Sequence, residues 1–170
     1  SALVTILYTF DLPYTPQSDL ALDALRRVLS IAYTDSVREE KGGAYGVGVQ
    51  CEIDKYSNPN ALLKIAFRTG PEKYDGLMPI VYRQLVHVAQ GQINAESIQK
   101  IKAYYKKAHQ QEVILNDYWN TIVYQQLRYG IDMHSNYDAL VDQLTAADIQ
   151  RVAQTIIKSN RRIEITMKSE

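Results

Sequence analysis

The apolar and polar positions of the chain alternate from its start. Between residues 3 and 10, the apolar side chains that fall on one side are Val4, Ile6, Tyr8 and Phe10. Because successive side chains of a strand point to opposite faces, this period of two predicts a β-strand. The strand is expected to have one face buried and to lie in a sheet.

The period then changes to that of a helix. Thr15 and Pro16 indicate its start, since a proline at the first helical position gives up no hydrogen bond that the helix needs. The apolar residues that follow are spaced three or four positions apart. They are Leu22, Leu25, Leu29 and Ala32, with Val28 beside them. This pattern predicts an amphipathic helix that reaches about Ser36.

Two further strands are predicted after a charged, glycine-rich segment. The first runs through Tyr45, Val47, Val49, Cys51 and Ile53, and the second has Ala61, Leu63, Ile65 and Phe67 on one face against Lys64 and Arg68 on the other. Residues 54–60 between them contain Ser57, Asn58 and Pro59, which favour a turn. The two strands are therefore expected to pair as an antiparallel hairpin with a long loop.

The rest of the chain is predicted to be helical up to a last strand. Helices are expected from Pro71 to a stop at Gly91, from Asn94 to about Leu115, from Asn116 and Asp117 to Gly130, around Tyr137 to Leu144, and from Thr145 to near Ser159. Thr145 and Asp148 have the spacing of a capping box. The alternation of Ile163, Ile165 and Met167 predicts the last strand.

This order of elements predicts an α+β fold. We expect an antiparallel or mixed sheet of about four strands with helices packed on one face. Residues 1–170 show no internal repeat, linker or low-complexity tract, so they are interpreted as one domain.

Composition narrows the classes of function. Apolar residues make up 46% of the chain and charged residues 22%, and 19 lysines and arginines balance 19 aspartates and glutamates. The zero net charge argues against a nucleic-acid-binding protein, which typically carries a basic face. No apolar run approaches the ~18 residues that a membrane helix needs. The sequence begins directly at a strand, as an excised piece of a longer protein is expected to do.

The residue types that bind metals or act as nucleophiles do not form a recognisable set. Cys51 is the single cysteine and alternates with apolar neighbours, so it is interpreted as a small buried hydrophobe. Residues 109–113 lie one substitution away from the inverted zinc motif H-x-x-E-H, but Val113 replaces the second histidine. His87 and His134 belong to no metal-ligand set at helical spacing. Residues 109–113 are therefore interpreted as a solvated helix face.

The segment from Arg38 to Val49 carries the candidate chemistry. It reads R-E-E-K-G-G-A-Y-G-V-G-V and takes a charged helix end through two glycines into a strand. Arg38 and Tyr45 are seven residues apart, so a tight turn would let them approach each other. A guanidinium and a phenol can both donate hydrogen bonds to a carbonyl oxygen or a developing oxyanion. The residues alone leave open a second interpretation, in which Arg38 caps the helix and Tyr45 belongs to the core.

Three motifs in this chain resemble those of one peptidase family. A leucine-rich helix followed by R-E-x-x-G-x-x-Y-x-V-x-V is similar to the C-terminal half of zinc peptidases of the pitrilysin and insulysin type. Within that family, the motif is most similar in sequence to that of bacterial periplasmic zinc proteases. Residues 116–119 resemble the N-x-Y-W segment of those bacterial members, and residues 144–149 resemble their L-T-x-x-D-[IV] helix start. The motifs occur in order over essentially the whole chain, which is identified as a member of this family.

The resemblance implies a division of roles between two homologous halves. In that family the first half holds zinc with H-x-x-E-H and a later glutamate, and the second half contributes an arginine and a tyrosine that contact the substrate. Carried over, Tyr45 would hydrogen-bond the scissile carbonyl or its oxyanion and Arg38 would position the substrate. Gly43, Ala44 and Gly46 would lie against it. This chain would then be the C-terminal, zinc-free half-domain of a larger zinc endopeptidase, inactive by itself.

The resemblance also implies partners and a setting. The expected partners are an N-terminal half that holds the zinc, in the same polypeptide or in a partner subunit, and a peptide substrate enclosed in a clamshell cavity. The bacterial members imply the cell envelope or periplasm. Two alternatives stay open: a non-catalytic scaffold or peptide-holding domain of a peptidase-like complex, and an unrelated α+β binding module.

Overall fold

Four strands and six helices make up the described part of the chain. The structure is a computed structural model that describes the backbone of residues 1–39 and 44–168 and the side chains of residues 1–36 and 46–168. A 3-10 turn at Pro71–Lys73 leads into the second helix, and the elements in chain order are β1 (Ala2–Phe10), α1 (Pro16–Glu39), β2 (Ala44–Ile53), β3 (Ala61–Thr69), α2 (Tyr74–Ala89), α3 (Ala95–Glu112), α4 (Asn116–Tyr129), α5 (Tyr137–Gln143), α6 (Ala146–Ser159) and β4 (Arg162–Lys168). Among these helices, none is long and apolar enough to cross a membrane.

The four strands form one antiparallel sheet in the order β2–β3–β1–β4. β1 is central although it comes first in the chain, because β4 returns after α6 to pair with its free edge. Alternate residues of β1 and β3 are buried, among them Val4, Ile6, Leu63 and Ile65, and this face of the sheet carries the helices. The predicted α+β fold with a one-sided helical layer is confirmed.

Helix α1 supplies the centre of the helical layer. Leu22, Leu25 and Leu29 are fully buried, and burial of each leucine side chain contributes roughly 1.5–3 kcal/mol. Tyr33 is also buried, and its hydroxyl donates a hydrogen bond to the carbonyl oxygen of Val81 in α2 at 2.9 Å. Because the polar tip of this tyrosine is satisfied, the ring can be buried where α1 meets α2.

Helix α6 begins with the predicted capping box. The hydroxyl of Thr145 accepts a hydrogen bond from the backbone N–H of Asp148, and the Asp148 carboxylate accepts one from the backbone N–H of Thr145 at 2.8 Å. Asn160 ends the helix in the left-handed region with φ +50°. The two caps fix both ends of α6 and direct the chain into β4, and the side chains that α6 buries are Ile149, Val152, Ala153 and Ile156.

Strand β4 places its apolar side chains on the face of the sheet that lacks helices. The apolar members of β4 are Ile163, Ile165 and Met167, and their partners on β1 are Leu7, Thr5 and Leu3. The three β4 side chains are 55%, 53% and 63% exposed. On the helical side, Glu164 instead accepts hydrogen bonds from the hydroxyls of Tyr74 and Tyr82 in α2. The predicted strand is therefore present, but its apolar face does not join the core.

Candidate functional site

The segment that contains Arg38 and Tyr45 lies where α1 leads to β2. Arg38 belongs to the last turn of α1, and Tyr45 is the second residue of β2. Gly43 lies outside the described residues, as do the side chains of Arg38, Ala44 and Tyr45. The helix-to-strand setting that the sequence predicts is therefore present. The approach of the guanidinium to the phenol stays a prediction.

Strand β2 begins with a β-bulge. Its register against β3 shifts between Ala44, which pairs with Thr69, and Val47, which pairs with Phe67. The chain thus advances three residues on β2 but only two on β3. Gly46 lies within this irregularity with φ +146°, a region in which a side chain would be strained. A bulge bends the strand and redirects the residues beside it. The backbone at Tyr45 therefore departs from the strict alternation that the sequence predicts.

Strand β2 is also an edge of the sheet. Among the described residues, a Cβ atom at Gly46 would meet no atom within 4 Å, and one at Gly48 would meet the carbonyl oxygen of Ala66 at 3.6 Å. An edge strand presents backbone N–H and C=O groups to which another chain can pair. The backbone at Gly46 is open to such an approach, which a contact with substrate would require. That Gly46 contacts a substrate stays a prediction.

The carboxylate of Asp23 joins α1 to α3. It accepts hydrogen bonds from Nε of Arg26 at 2.7 Å, from Nε of Arg27 at 2.8 Å and from the hydroxyl of Tyr105 at 2.6 Å. Burial alone would raise the pKa of this carboxyl, but the hydrogen bonds from these three donors outweigh it and hold the pKa below its ordinary value. Burial, followed by the charge of Asp23, raises the pKa of the Tyr105 phenol. Asp23 is therefore a structural carboxylate and not a candidate general base.

The loop after α4 brings together side chains that are far apart in the sequence. The Tyr118 hydroxyl oxygen lies 3.1 Å from Nε2 of His109 and 2.7 Å from Nδ1 of His134. The other ring nitrogen of His109 lies 3.3 Å from a carboxylate oxygen of Asp138. The interpretation of residues 109–113 as a solvated helix face is wrong at His109, because its side chain is only 14% exposed. Local spacing gave no sign of this cluster, since its members come from α3, α4, α5 and a loop.

The N-x-Y-W segment forms the junction between α3 and α4. Asn116 is the first residue of α4 and not its cap, because the capping position is Leu115, which offers no side-chain acceptor. The indole N–H of Trp119 instead donates a hydrogen bond to the carbonyl oxygen of Val113 at 2.8 Å. The Trp119 ring also packs against His134, with ring centroids 4.7 Å apart. The tyrosine and tryptophan of this motif therefore fasten the start of α4 to the rest of the domain.

The described residues do not fit a catalytic zinc ion. No group of three or more histidine, cysteine, aspartate or glutamate side chains among them could hold a metal. His109 and His134 each place one ring nitrogen against the Tyr118 hydroxyl. A catalytic zinc site has three protein ligands and an open position. The described residues therefore do not supply the ligands of a catalytic zinc ion.

Cys51 lies half-buried on β2, opposite Leu63 of β3. Burial raises the pKa of its thiol to about 11, and the charge of Asp23 adds to the shift. A nucleophilic cysteine needs the opposite, a lowered pKa that keeps the thiolate present. Cys51 thus has the character of a small apolar residue, as its place in the alternating pattern predicts.

The fold and the motifs define this protein as a peptidase-like α+β domain. Residues 1–105 match the family described as the peptidase M16 inactive domain. Because the match covers more than half of the 170 residues, the chain belongs to the M16 peptidase family. The resemblance to pitrilysin and insulysin peptidases is confirmed, and the alternative of an unrelated α+β binding module is wrong.

Solved structures share this fold. The periplasmic protease PqqL from Escherichia coli superposes with a TM-score of 0.83 and 20% identity, over 99% of this chain and 19% of that chain. The ferredoxin protease FusC, in complex with Arabidopsis ferredoxin, has a TM-score of 0.78 and 18% identity, over 97% and 18%. An inactive peptidase domain from Bordetella parapertussis has a TM-score of 0.76 and 16% identity, over 98% and 92%. This chain thus spans about a fifth of the length of the two proteases. Among curated protein sequences, none matches it.

Proposed function

We propose that this chain is the substrate-binding and active-site-completing C-terminal domain of a zinc-dependent endopeptidase. Residues 1–170 would form one domain, and the zinc would belong to an N-terminal half in the same polypeptide or in a partner subunit. The observation that carries the proposal is the position of Arg38 and Tyr45 in an M16 domain. They lie at the end of α1 and at the start of the edge strand β2.

Each residue of the segment has a role in this proposal. Tyr45 donates a hydrogen bond to the scissile carbonyl oxygen and then to the oxyanion, and removal of such a donor from a comparable site costs about 3–4 kcal/mol. Arg38 offers several fixed N–H donors that position the peptide. Gly43, Ala44 and Gly46 form the backbone against which the substrate lies, and the open edge at Gly46 supports this. Catalysis would take place in the cavity between the two halves.

The solved relatives support a protein substrate and a setting in the cell envelope. FusC is a ferredoxin protease, and its structure contains a bound protein, ferredoxin. PqqL is a periplasmic protease. By analogy, the full-length protein would cleave a peptide or protein chain in the bacterial envelope or periplasm.

Replacement of Tyr45 in the full-length protein tests the proposed role. Tyr45→Phe removes only the hydroxyl, so kcat/KM is expected to fall by at least roughly tenfold while the zinc content is unchanged. The matched control is Tyr56→Phe, because Tyr56 lies in the β2–β3 connection with 63% of its surface exposed. Wild-type activity of the Tyr45→Phe enzyme, or an equal loss in the two variants, would contradict the proposal.

A non-catalytic scaffold or peptide-holding domain is the second candidate function. It is favoured by the family description as an inactive domain. The zinc content of the full-length protein, measured by elemental analysis, discriminates between the two. One tightly bound zinc ion per complete peptidase unit supports the endopeptidase, whereas a zinc-free protein that still binds peptides supports the scaffold.

A further inference from the structure

Helices α1 and α3 enclose a shallow groove whose charged side chains are all basic. Its lining includes Arg26, Arg27 and Ile31 of α1 and Lys100 and Tyr104 of α3. No aspartate or glutamate is among the described residues that line it. The groove has a volume of about 260 Å³, below the ~300–1,000 Å³ of pockets that enclose small-molecule ligands. It therefore suits one or two side chains of a peptide.

The two arginines of the groove share one carboxylate. Arg26 and Arg27 both donate from Nε to Asp23, at 2.7 Å and 2.8 Å. Within the described part of the chain, no other carboxylate forms an ion pair with either arginine. Asp23 balances one of the two guanidinium charges, so one positive charge remains. Because both ion pairs are made through Nε, they do not use the Nη groups, which can donate to a second carboxylate.

Two tyrosine rings hold the guanidinium of Arg27 in place. Its central carbon lies 3.9 Å from the ring centroid of Tyr104 and 5.1 Å from that of Tyr105. The attraction between the cation and these rings adds to the ion pair with Asp23. A side chain that is already fixed loses little conformational entropy when a ligand binds. Arg27 is therefore a preorganised donor for an anionic group.

Lys100 adds a second cation at the mouth of the groove. Its ammonium group lies 2.8 Å from a carboxylate oxygen of Glu96, one turn earlier in α3, and the two side chains are 71% and 70% exposed. An ion pair this exposed contributes little to stability, because water screens it. Lys100 can therefore turn to a carboxylate that enters the groove at little cost.

The groove lies on the same side of α1 as the proposed substrate contact. Positions 4, 7 and 11 residues apart lie on one side of a helix, so Arg27, Ile31, Thr34 and the backbone of Arg38 follow one line. Ile31 and Thr34 are exposed, which leaves this line open to solvent. From Arg27 to Arg38 the helix rises about 17 Å. An extended peptide covers that length with about five residues.

We propose that the α1–α3 groove binds an acidic side chain of the peptide substrate, about five residues from the scissile bond. The carboxylate would balance the remaining charge of Arg26 and Arg27, while the exposed Ile31 contacts its aliphatic part. This inference rests on the proposed function, because the distance is counted from Arg38. It adds to that function a preference for substrates with an acidic residue at this distance from the cleavage point.

A glutamate scan of a peptide substrate tests this subsite. The starting peptide is one that the full-length protein cleaves, extended on both sides by serine and glycine. One glutamate is moved from about the third to about the seventh position on each side of the scissile bond, with glutamine as the matched control. We expect kcat/KM to be at least about fivefold higher for glutamate near the fifth position on one side. A ratio that does not vary with position would overturn the proposal.

Charge reversal at Lys100 tests whether the groove causes the preference. Lys100→Glu should lower the glutamate-to-glutamine ratio to about one or less and should favour a peptide with lysine at that position, whereas Lys100→Arg should keep the ratio. The matched control is Lys158→Glu, the same change of charge in the exposed last turn of α6. An equal effect of the two reversals would mean that net charge sets the preference, and would overturn the proposal.

Arg27→Gln tests the shared carboxylate directly. With one guanidinium removed, Asp23 balances the other, so the preference for glutamate should fall to near one. Circular dichroism checks that the variant is folded. The wild-type ratio should also fall as the salt concentration rises, because the groove is open to water. A folded Arg27→Gln protein that keeps the full preference would contradict the assigned role of the arginines.

Peptide binding separates this inference from the proposed function. Fluorescence anisotropy of the same peptides, labelled and added to the full-length protein after treatment with EDTA, needs no catalysis and also applies if the protein cleaves nothing. Tighter binding of the glutamate peptide to the wild type than to Lys100→Glu supports the groove, even if Tyr45→Phe keeps full activity. If Tyr45→Phe is inactive but glutamate and glutamine peptides bind and are cleaved equally, the proposed function stands and the subsite is wrong.

Discussion

The hydroxyl of Tyr118 lies 2.7 Å from Nδ1 of His134, so the first turn of α4 contacts the loop that follows the helix. The same oxygen lies 3.1 Å from Nε2 of His109, so one phenol joins α3, α4 and the loop. We expect Tyr118→Phe to lower the free energy of unfolding by about 1–2 kcal/mol, because two ring nitrogens lose their partner. Urea unfolding followed by circular dichroism measures the change. Tyr56→Phe removes an exposed hydroxyl and should unfold like the wild type, and an equal loss in both variants would contradict the role of the cluster.

The capping box of α6 gives a second stability prediction. Thr145→Ala removes the hydroxyl that accepts from the backbone N–H of Asp148, so the free energy of unfolding should fall by about 1 kcal/mol. Thr155→Ala on the same helix is the matched control. The Thr155 hydroxyl is exposed and only donates to the carbonyl oxygen of Arg151, so alanine should be neutral or slightly stabilising there. Equal urea midpoints for the two variants would show that the cap is unimportant.

The elements of this fold were predictable because their signals are local. The alternation of Val4, Ile6 and Phe10 defines β1 within a few residues, and the spacing of Thr145 and Asp148 defines the start of α6. Such patterns reflect the geometry of one strand or one helix turn, so they do not require knowledge of the partner. The family resemblance rested on motifs of the same kind, and it was confirmed by the family match.

The features that the sequence did not predict depend on contacts between distant residues. The alternation of Ile163 and Ile165 predicts a strand, but pairing with β1 determines which face meets the helices. The cluster of His109, Tyr118 and His134 exists because the loop after α4 returns to the junction between α3 and α4. The bulge at Gly46 is a mismatch between two strands, and neither strand shows it alone.

The pKa of Asp19 gives a prediction of pH dependence. Burial raises this pKa to about 6, and the charge of Asp23 adds to the shift. In the unfolded chain the carboxyl titrates near pH ~4. The contribution of Asp19 to stability is therefore fully present below about pH 4 and is lost as the pH rises through about 6. Asp19→Asn should raise the free energy of unfolding by about 1 kcal/mol near pH 8, with little effect near pH 3.5. Urea unfolding at the two pH values measures this.

The carboxyl of Asp132 can serve as an internal reference for the titration of Asp19. Hydrogen bonds from the Ser135 hydroxyl and then from the backbone N–H groups of Ser135 and His134 lower its pKa to about 2. A carbon-13 NMR titration of the side-chain carboxyls should therefore show Asp19 and Asp132 shifted in opposite directions from their ordinary value. If Asp19 titrated below its ordinary value, the assigned burial of its carboxyl would be wrong.

Cys51 provides a chemical test of the packing between α1 and the sheet. Burial raises the pKa of its thiol to about 11, so very little thiolate exists in the folded protein near pH 8. An exposed cysteine has a pKa of about 8.5, so iodoacetamide should alkylate the folded chain roughly 10²-fold more slowly than the chain unfolded in urea. Mass spectrometry measures both rates, and Cys51→Ala shows that no other residue reacts. The rate for the folded chain should keep rising with pH beyond the point at which the unfolded chain levels off. Equal rates in the two states would mean that Cys51 is open to solvent and that β2 is not packed as described.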